Sequence, residues 1–203
     1  MSSVFDDVVS NDGPTVRREW AMPNEWTFQI NPIGELVEQE VGERQSGSPH
    51  RNDQNTDREV SHSDGLWVDP FAGQSDIADV TNDFNPELKT DYTLKADEFL
   101  SQFDDGEVDG GVLFDPPYSP RQIKEMYDDV GTEVQMKDTQ STFYSRKRDA
   151  IERICAEGAT VISFGWNSVG IGKTWNFQKR EILMVCHGGA HNDTICTVED
   201  YRP

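Results

Sequence analysis

The sequence has few basic residues, few cysteines and no long apolar run, and each scarcity excludes a class of protein. Its 203 residues contain no uncharged apolar stretch near the ~20 residues that cross a bilayer. The N-terminus MSSVFDDVVSND also lacks the basic start and apolar stretch of a secretory signal. We therefore expect neither membrane insertion nor export. Three cysteines without a CxxC pair predict reduced thiols, and so a cytoplasmic protein.

Acidic residues dominate the charge, with 38 aspartates and glutamates against 18 lysines and arginines, a formal net charge of −20. Aspartate (22) exceeds glutamate (16) and arginine (11) exceeds lysine (7), which suggests a salt-rich cytoplasm, that of a halophilic host or its virus. At molar salt the Debye length falls to ~3 Å, which screens self-repulsion. An ordinary acidic mesophilic protein is the alternative. Only residues 121–180, with ten basic and eight acidic side chains, carry a positive balance.

The length predicts a single domain, residues 1–203, in which composition changes mark the segments. Two segments have few apolar side chains and predict flexible chain. Between them a short extended stretch leads into a helix that starts at Pro32, and this N-terminal arm is expected to pack on the body. The flexible segments are 1–16 and 42–65, the arm is 26–41, and the catalytic core is 66–201. The apolar face of the arm helix consists of Ile33, Leu36 and Val37.

In the core, short apolar runs alternate with helical patterns. Such alternation implies right-handed crossovers and a mostly parallel sheet covered on both faces. The last two runs are separated by a short loop and predict an antiparallel hairpin. We therefore predict an α/β fold, a doubly wound and mostly parallel Rossmann-like sheet with a C-terminal antiparallel hairpin. The predicted strands are 66–69, 78–81, 110–115, 158–165, 180–188 and 193–201, and the predicted helices are 119–130 and 145–158.

Two predicted strands end in unusual turns. The first strand of the core continues into Asp-Pro-Phe-Ala-Gly at 69–73, where small residues let the backbone approach a ligand. Strand 110–115 continues into Asp-Pro-Pro-Tyr at 115–118. Two prolines remove two N–H donors, so Asp115 and the carbonyls are acceptors without local donors, and Tyr118 offers a flat face to a planar heterocycle. Because ligands bind beyond the carboxyl ends of strands in such sheets, these turns predict a site.

DPFAG followed 46 residues later by DPPY resembles the amino-group DNA methyltransferases, which use S-adenosylmethionine, over roughly residues 26–201. The resemblance implies a class I methyltransferase-like fold and methyl transfer to N6 of adenine in DNA, an activity found in restriction–modification. Aspartate at the head of the second motif favours adenine, and an N4-cytosine DNA methyltransferase is the alternative. A catalytically inactive methyltransferase-like DNA-binding protein is the alternative of another class.

The resemblance also assigns cofactor contacts. The first motif would wrap the methionine part of S-adenosylmethionine. The acid after the second strand, Asp83, would hold the ribose hydroxyls, and the carboxylate ending the third strand, Asp97, would lie near the adenine. Solvated turn acids are the alternative for both aspartates. The methionine contacts fall on Asp69, Phe71, Ala72 and Gly73.

For the target base, the resemblance implies that the Asp115 carboxylate and the Pro116 carbonyl accept the two amine N–H bonds, while Tyr118 stacks on the base. The base must be flipped out of the duplex. DNA contacts are expected from the loop 131–145, which includes Tyr144. No segment is long enough for a separate target-recognition domain, so a homodimer or a partner chain would assist recognition. The catalytic set is Asp115, Pro116, Pro117 and Tyr118, and the target or DNA set is Trp166, Arg146, Lys147 and Arg148.

Several motifs have competing interpretations. Trp166 can be core packing instead of a wall of the base pocket, and the basic cluster 146–148 can be one solvated helix face. GIGKT at 170–174 is not a phosphate-binding loop, because Asn167 stands where that motif needs glycine. Zinc binding is disfavoured against ordinary core cysteines, since neighbouring residues on a strand point to opposite faces. The candidate ligands were Cys186, His187, His191 and Cys196, and no metal is expected.

Overall fold

The computed structural model describes residues 13–42, 65–117, 121, 142–189 and 191–203. Seven strands and three α-helices lie within these residues. The strands are β1 (Thr15–Trp20), β2 (Trp67–Asp69), β3 (Val80–Thr81), β4 (Gly111–Phe114), β5 (Thr160–Gly165), β6 (Phe177–Cys186) and β7 (Thr194–Tyr201). The helices are α1 (Asn31–Val41), α2 (Ala96–Leu100) and α3 (Thr142–Ile154), with short 3-10 helices at Thr27–Gln29 and Lys173–Trp175.

The strands form one mixed sheet in the order β1, β6, β7, β5, β4, β2, β3. Strand β7 runs antiparallel to both of its neighbours, β5 and β6. All other neighbouring strands are parallel. The prediction of a mostly parallel α/β sheet that ends in an antiparallel hairpin is therefore confirmed.

Helices cover both faces of the sheet. Buried side chains of α1 share one apolar cluster with Leu113 of β4, whereas its neighbours Val112 and Phe114 belong to a second cluster with α2 and α3. This division follows from the two-residue period of a strand, which sends successive side chains to opposite faces. The sheet is thus doubly wound, as predicted.

Helix α1 is explained by its own sequence. Pro32 lies in the first turn, where its missing N–H costs nothing, and the helix ends at Gly42, whose φ of 89° suits glycine. Its buried side chains recur at helical spacing and pack on the sheet. They are Pro32, Ile33, Leu36, Val37 and Val41.

The prediction of a flexible segment over 1–16 is wrong at its end, because Thr15 and Val16 begin strand β1. This strand is polar and exposed, and it forms by parallel pairing with β6 from the other end of the chain. No local apolar pattern announces such a strand. Residues 1–12, residues 43–64 and nearly all of the predicted helix 119–130 lie outside the described residues.

Asp97 does not end a strand, which corrects the prediction made from the resemblance. The chain makes only an isolated bridge at Tyr92, beside Asn82, and then enters helix α2 after Lys95. The buried face of α2 consists of Ala96, Phe99 and Leu100. Asp97 lies in the first turn of α2, where a negatively charged side chain interacts favourably with the helix dipole.

In the described ranges of the chain, none of the helices is both long and apolar enough to cross a bilayer.

Candidate functional site

The two sequence motifs meet at one edge of the sheet. Strands β2 and β4 are parallel neighbours, so the turns that follow them lie side by side. A cavity of about 390 Å³ opens there, and four described parts of the chain line it. The arm contributes Glu25, Trp26, Thr27, Phe28 and Gln29, the β2 turn contributes Phe71, Ala72, Gly73, Gln74, Ser75, Asp76 and Ile77, the segment after β3 contributes Asp83, and the second motif contributes Asp115 and Pro117.

The β2 turn is fixed by the segment after β3. Gly73 has a φ of 57°, and its N–H donates to Oδ2 of Asp83 at 3.0 Å. The other carboxylate oxygen of Asp83 accepts the N–H of Asn85 at 2.8 Å. Asp83 therefore shapes the glycine turn and also lines the cavity. Asp83 thus has a structural role in the turn, and its carboxylate also faces the cavity, where it can contact a ligand.

Asn82, which was not predicted from the sequence, also holds the β2 turn in place. This residue is fully buried, and its side-chain amide donates to the carbonyls of Pro70 and Leu94, both at 3.0 Å. Its side-chain oxygen accepts the N–H of Leu94 at 2.9 Å. A buried amide with every polar group satisfied rigidifies its surroundings. The position of Asn82 directly after a short predicted strand is the sequence feature that could have indicated this role.

Asp69, the first residue of the motif, lies beneath the cavity and is not among the residues that line it. It is fully buried, and its Oδ1 accepts the N–H of Phe71 at 2.9 Å while Oδ2 has no hydrogen-bond partner. Burial raises the pKa of Asp69 well above its ordinary value, and the nearby carboxylates of Asp115 and Asp83 raise it further. A carboxyl group in this setting favours its neutral form.

The N-terminal arm forms the opposite wall of the cavity, and Trp26 was not anticipated there. A Cβ atom built on Gly73 would lie 2.9 Å from the ring of Trp26, so this close packing needs glycine at 73. Phe28 anchors the arm on the sheet through Phe164, with ring centroids 5.0 Å apart. The cavity is thus closed by a segment distant in sequence from both motifs.

The cavity is acidic. Among the described residues that line it are the carboxylates of Glu25, Asp76, Asp83 and Asp115, and these described residues include no lysine, arginine or histidine. Such a lining favours cations and N–H donors as ligands and disfavours phosphate groups. The chemistry that fits is recognition of a positively charged group together with an amine or hydroxyls.

The second motif presents its acceptors at the same place. Asp115 and Pro117 line the cavity, and Pro116 between them is buried. The hydroxyl of Tyr144, at the start of α3, donates a hydrogen bond to the carbonyl of Pro117. Burial raises the pKa of Tyr144, so the hydroxyl keeps its proton as a donor. Tyr118 lies outside the described residues.

The basic cluster on α3 does not form one surface. Arg146 is exposed, but Lys147 is buried and its Nζ lies 2.9 Å from Oδ1 of Asp97. Arg148 is half-buried, with its guanidinium 5.3 Å from the centre of the Trp175 ring, and burial lowers its pKa. The pair with Lys147 places Asp97 away from the residues that line the cavity.

Trp166 directly follows β5, the parallel neighbour of β4. It therefore lies at the edge of the sheet where the two motifs end, and it is 45% exposed. A position of this kind is compatible with contact to a substrate and does not fit the alternative of a fully packed core residue.

The GIGKT segment binds a carboxylate of its own chain. The buried side chain of Glu199 accepts the N–H groups of Ile171 at 2.5 Å and Gly172 at 3.2 Å. A Cβ atom on Gly170 would lie 2.2 Å from this carboxylate. These backbone donors are therefore engaged by Glu199, and the segment serves to hold the loop after β5 in place.

The cysteine and histidine residues considered as zinc ligands do not form one cluster among the described residues. The Nδ1 of His187 lies 2.9 Å from the carbonyl oxygen of Ala21, and its Nε2 lies 2.9 Å from the hydroxyl of Thr194. Cys196 is buried in the apolar cluster beneath α1. Among the described residues, no group of three or more candidate ligands comes together.

No protein-family model matches the chain, and no curated protein matches it. Among solved structures, one described as "Putative methyltransferase yhhF from Escherichia coli" is similar to this chain at 12% sequence identity. The similarity covers 69% of this chain and 77% of that chain, with a TM-score of 0.42. A likeness of this size supports no conclusion about activity, which has to come from the site itself.

Proposed function

We propose that this protein is an S-adenosylmethionine-dependent methyltransferase that acts on the N6 amine of adenine in DNA. The observation that carries the proposal is that the two motifs, 46 residues apart in sequence, line one cavity. Phe71, Ala72 and Gly73 come from the first motif, and Asp115 and Pro117 from the second. The residues proposed to hold the cofactor and those proposed to hold the target amine would therefore lie a short distance apart. Direct transfer of a methyl group between two bound molecules requires such proximity.

The lining of the cavity fits the cofactor. S-adenosylmethionine carries an ammonium and a sulfonium charge and has no phosphate, which suits the carboxylates of Glu25, Asp76 and Asp83 among the described lining residues. The turn at 71–73 would hold its methionine part, and Asp83 would accept its ribose hydroxyls. When bound, the cofactor supplies an electrophilic methyl group on a positively charged sulfur.

The acceptors of the second motif fit an exocyclic amine. The lone pair of such an amine is delocalised into the ring, and hydrogen bonds from both of its N–H groups localise that pair on nitrogen. In the proposal the Asp115 carboxylate and the Pro116 carbonyl accept these bonds, and Tyr118 stacks on the base. Neither Pro116 nor Pro117 has an N–H group, so these two residues contribute no backbone donor that would compete with the amine. Tyr144 would fix the peptide that follows.

DNA binding by so acidic a chain has to use few contacts. Of the residues predicted to touch DNA, those that the structure describes as exposed are Arg146 and Trp166. Because electrostatic affinity for DNA grows with the number of phosphates neutralised, the salt dependence of binding should be shallow. Recognition is then expected to cover a short target with the base flipped into the cavity.

The test is to incubate the protein, S-adenosylmethionine and duplex DNA at low and at molar KCl, digest the DNA and measure methylated nucleosides. N6-methyladenine is the expected product. Asp115→Asn should abolish it while calorimetry shows unchanged cofactor affinity. Glu157→Gln removes one exposed carboxylate far from both motifs in sequence and should retain full activity.

Each other outcome has a definite meaning. N4-methylcytosine alone would refute adenine as the target and support the cytosine enzyme. Product from neither base at any salt concentration, together with DNA binding, would refute catalysis and support an inactive methyltransferase-like DNA-binding protein. Equal activity of Asp115→Asn and the unchanged protein would refute the assigned role of the second motif.

A further inference from the structure

Strand β1 is an edge strand with an unusual surface. In the described residues it pairs only with β6, so its other side presents unpaired backbone groups. Val16 is 63% exposed and Trp20 is 66% exposed. Both lie on the same face of the strand, beside the half-buried Ile182 and Met184 of β6. An exposed tryptophan on an open strand edge is a feature of pairing surfaces.

The backbone direction shows which groups are available. The N–H of Ala21 donates to the carbonyl of Cys186, at the end of β6, with a distance of 3.2 Å. Along a strand, the N–H and C=O groups of one residue point to the same side, and those of the next residue point to the opposite side. Odd-numbered residues of β1 therefore bond to β6. The outward groups are those of Val16, Arg18 and Trp20.

We propose that β1 pairs antiparallel with β1 of a second copy of this chain, about a two-fold axis through Arg18. Hydrogen-bonded pairs must join outward-facing residues, so only even-numbered residues can face even-numbered ones. A shift of the register by one such step in either direction would place Arg17 opposite its own copy or Glu19 opposite its own copy. Both arrangements juxtapose like charges without the two Arg17–Glu19 pairs that the register centred on Arg18 forms.

The register centred on Arg18 is self-complementary at every facing pair except Arg18, which faces its own copy. On one face Arg17 lies opposite Glu19 of the second copy, twice by symmetry. On the other face Val16 lies opposite Trp20, again twice, which covers apolar surface that each chain exposes alone. Directly opposed pairs of opposite charge, and of aromatic with β-branched residues, stabilise a sheet.

Charged side chains on an edge strand usually prevent pairing, and two features explain why they permit it here. The order Arg-Arg-Glu makes the strand complementary to itself, since Arg17 meets Glu19. The central Arg18 side chains repel each other, but the Nε of Arg18 donates to Sγ of Cys186 at 3.1 Å, which directs it back toward its own sheet. At high salt the remaining repulsion is screened.

Pairing at β1 would also brace the candidate site. The strand ends at Trp20, and the chain then continues through Ala21 into the arm residues 25–29 that line the cavity. A second copy would hold the start of this arm without touching the cavity. The inference about β1 does not depend on the activity proposed above, because it is argued only from the backbone groups and side chains of this strand.

The experiment compares Arg18→Pro with Arg18→Ala by sedimentation equilibrium over a range of protein and salt concentrations. Proline at 18 removes an outward N–H and leaves the bonds to β6 intact, whereas alanine removes the side chain and keeps the N–H. We expect twice 23.0 kDa for the unchanged protein and Arg18→Ala, and 23.0 kDa for Arg18→Pro. A monomeric unchanged protein, or a dimeric Arg18→Pro, would overturn the proposal.

A cross-link tests the register and decides the matter if Arg18→Pro does not fold. Arg17→Cys and Glu19→Cys proteins are mixed and oxidised. In the proposed register these positions form a non-hydrogen-bonded pair with Cα atoms ~4.5 Å apart, within disulfide range. The mixture should give a covalent dimer that contains one chain of each variant, and each variant alone should give none. The native cysteines at 155, 186 and 196 are buried. Failure of the mixed cross-link would refute the register.

Discussion

The hydroxyl of Tyr144 donates a hydrogen bond to the carbonyl of Pro117, 27 residues earlier in the chain. This bond joins the first turns of α3 to the acceptor motif at the end of β4. It supplies a donor to a stretch in which two consecutive residues have no N–H group. The position of the Asp-Pro-Pro peptide thus depends on a side chain from another element.

Tyr144→Phe should lower the turnover number of methyl transfer about tenfold, which corresponds to ~1.4 kcal/mol, because only the hydroxyl is lost. The affinity for S-adenosylmethionine should stay within about twofold, since the first motif is untouched. Steady-state kinetics and calorimetry measure the two effects. Tyr92→Phe, a half-exposed tyrosine whose ring packs against Phe99, is the matched control and should change neither. An equal loss of turnover in both variants would contradict a positioning role.

Gly73→Ala should weaken cofactor binding about tenfold or more. The added Cβ would lie 2.9 Å from the Trp26 ring, so the arm has to move away from the turn. Calorimetric titration with S-adenosylmethionine measures the loss. Gly106→Ala is the control, because Gly106 also has a positive φ, 70°, but has no atom within 4 Å of the new Cβ. Both variants should lose about 1 kcal/mol of stability from the backbone strain. Unchanged affinity in Gly73→Ala would show that the arm does not enclose the cofactor.

The free energy of unfolding should depend on pH through Asp69. Burial raises the pKa of this carboxyl in the folded protein, so the native state keeps a proton that the unfolded chain releases above about pH 4. The contribution of the protonated Asp69 carboxyl to the free energy of unfolding is therefore fully present below about pH 4. It is lost as the pH rises through the pKa of Asp69 in the folded protein. Urea unfolding from about pH 4 to pH 8 should therefore show the unchanged protein losing stability relative to Asp69→Asn. A constant difference between the two proteins would indicate that Asp69 stays charged when folded.

Salt should stabilise the fold. With a net charge of −20, the folded chain repels itself at low ionic strength, and molar KCl reduces the Debye length to ~3 Å. The thermal midpoint should rise with KCl, and methyl transfer should be fastest near molar salt. Calorimetric scans at matched pH test this, with sucrose as a control for non-ionic stabilisation. A midpoint that is highest at low salt would contradict the interpretation of the acidic composition.

The sequence by itself determined the main strands, helix α1 and the terminal hairpin, because each has a local apolar period that matches its secondary structure. It also determined that the two motifs follow strands, since their prolines and glycine interrupt apolar runs. Tertiary structure alone decided the rest. Strand β1 exists through pairing with β6, Asp97 lies in a helix that pairs with Lys147, and Trp26 reaches Gly73 across more than forty residues of chain. Contacts between residues far apart in sequence leave no local pattern, so only the folded chain shows that Trp26 packs on Gly73 and that Tyr144 holds Pro117.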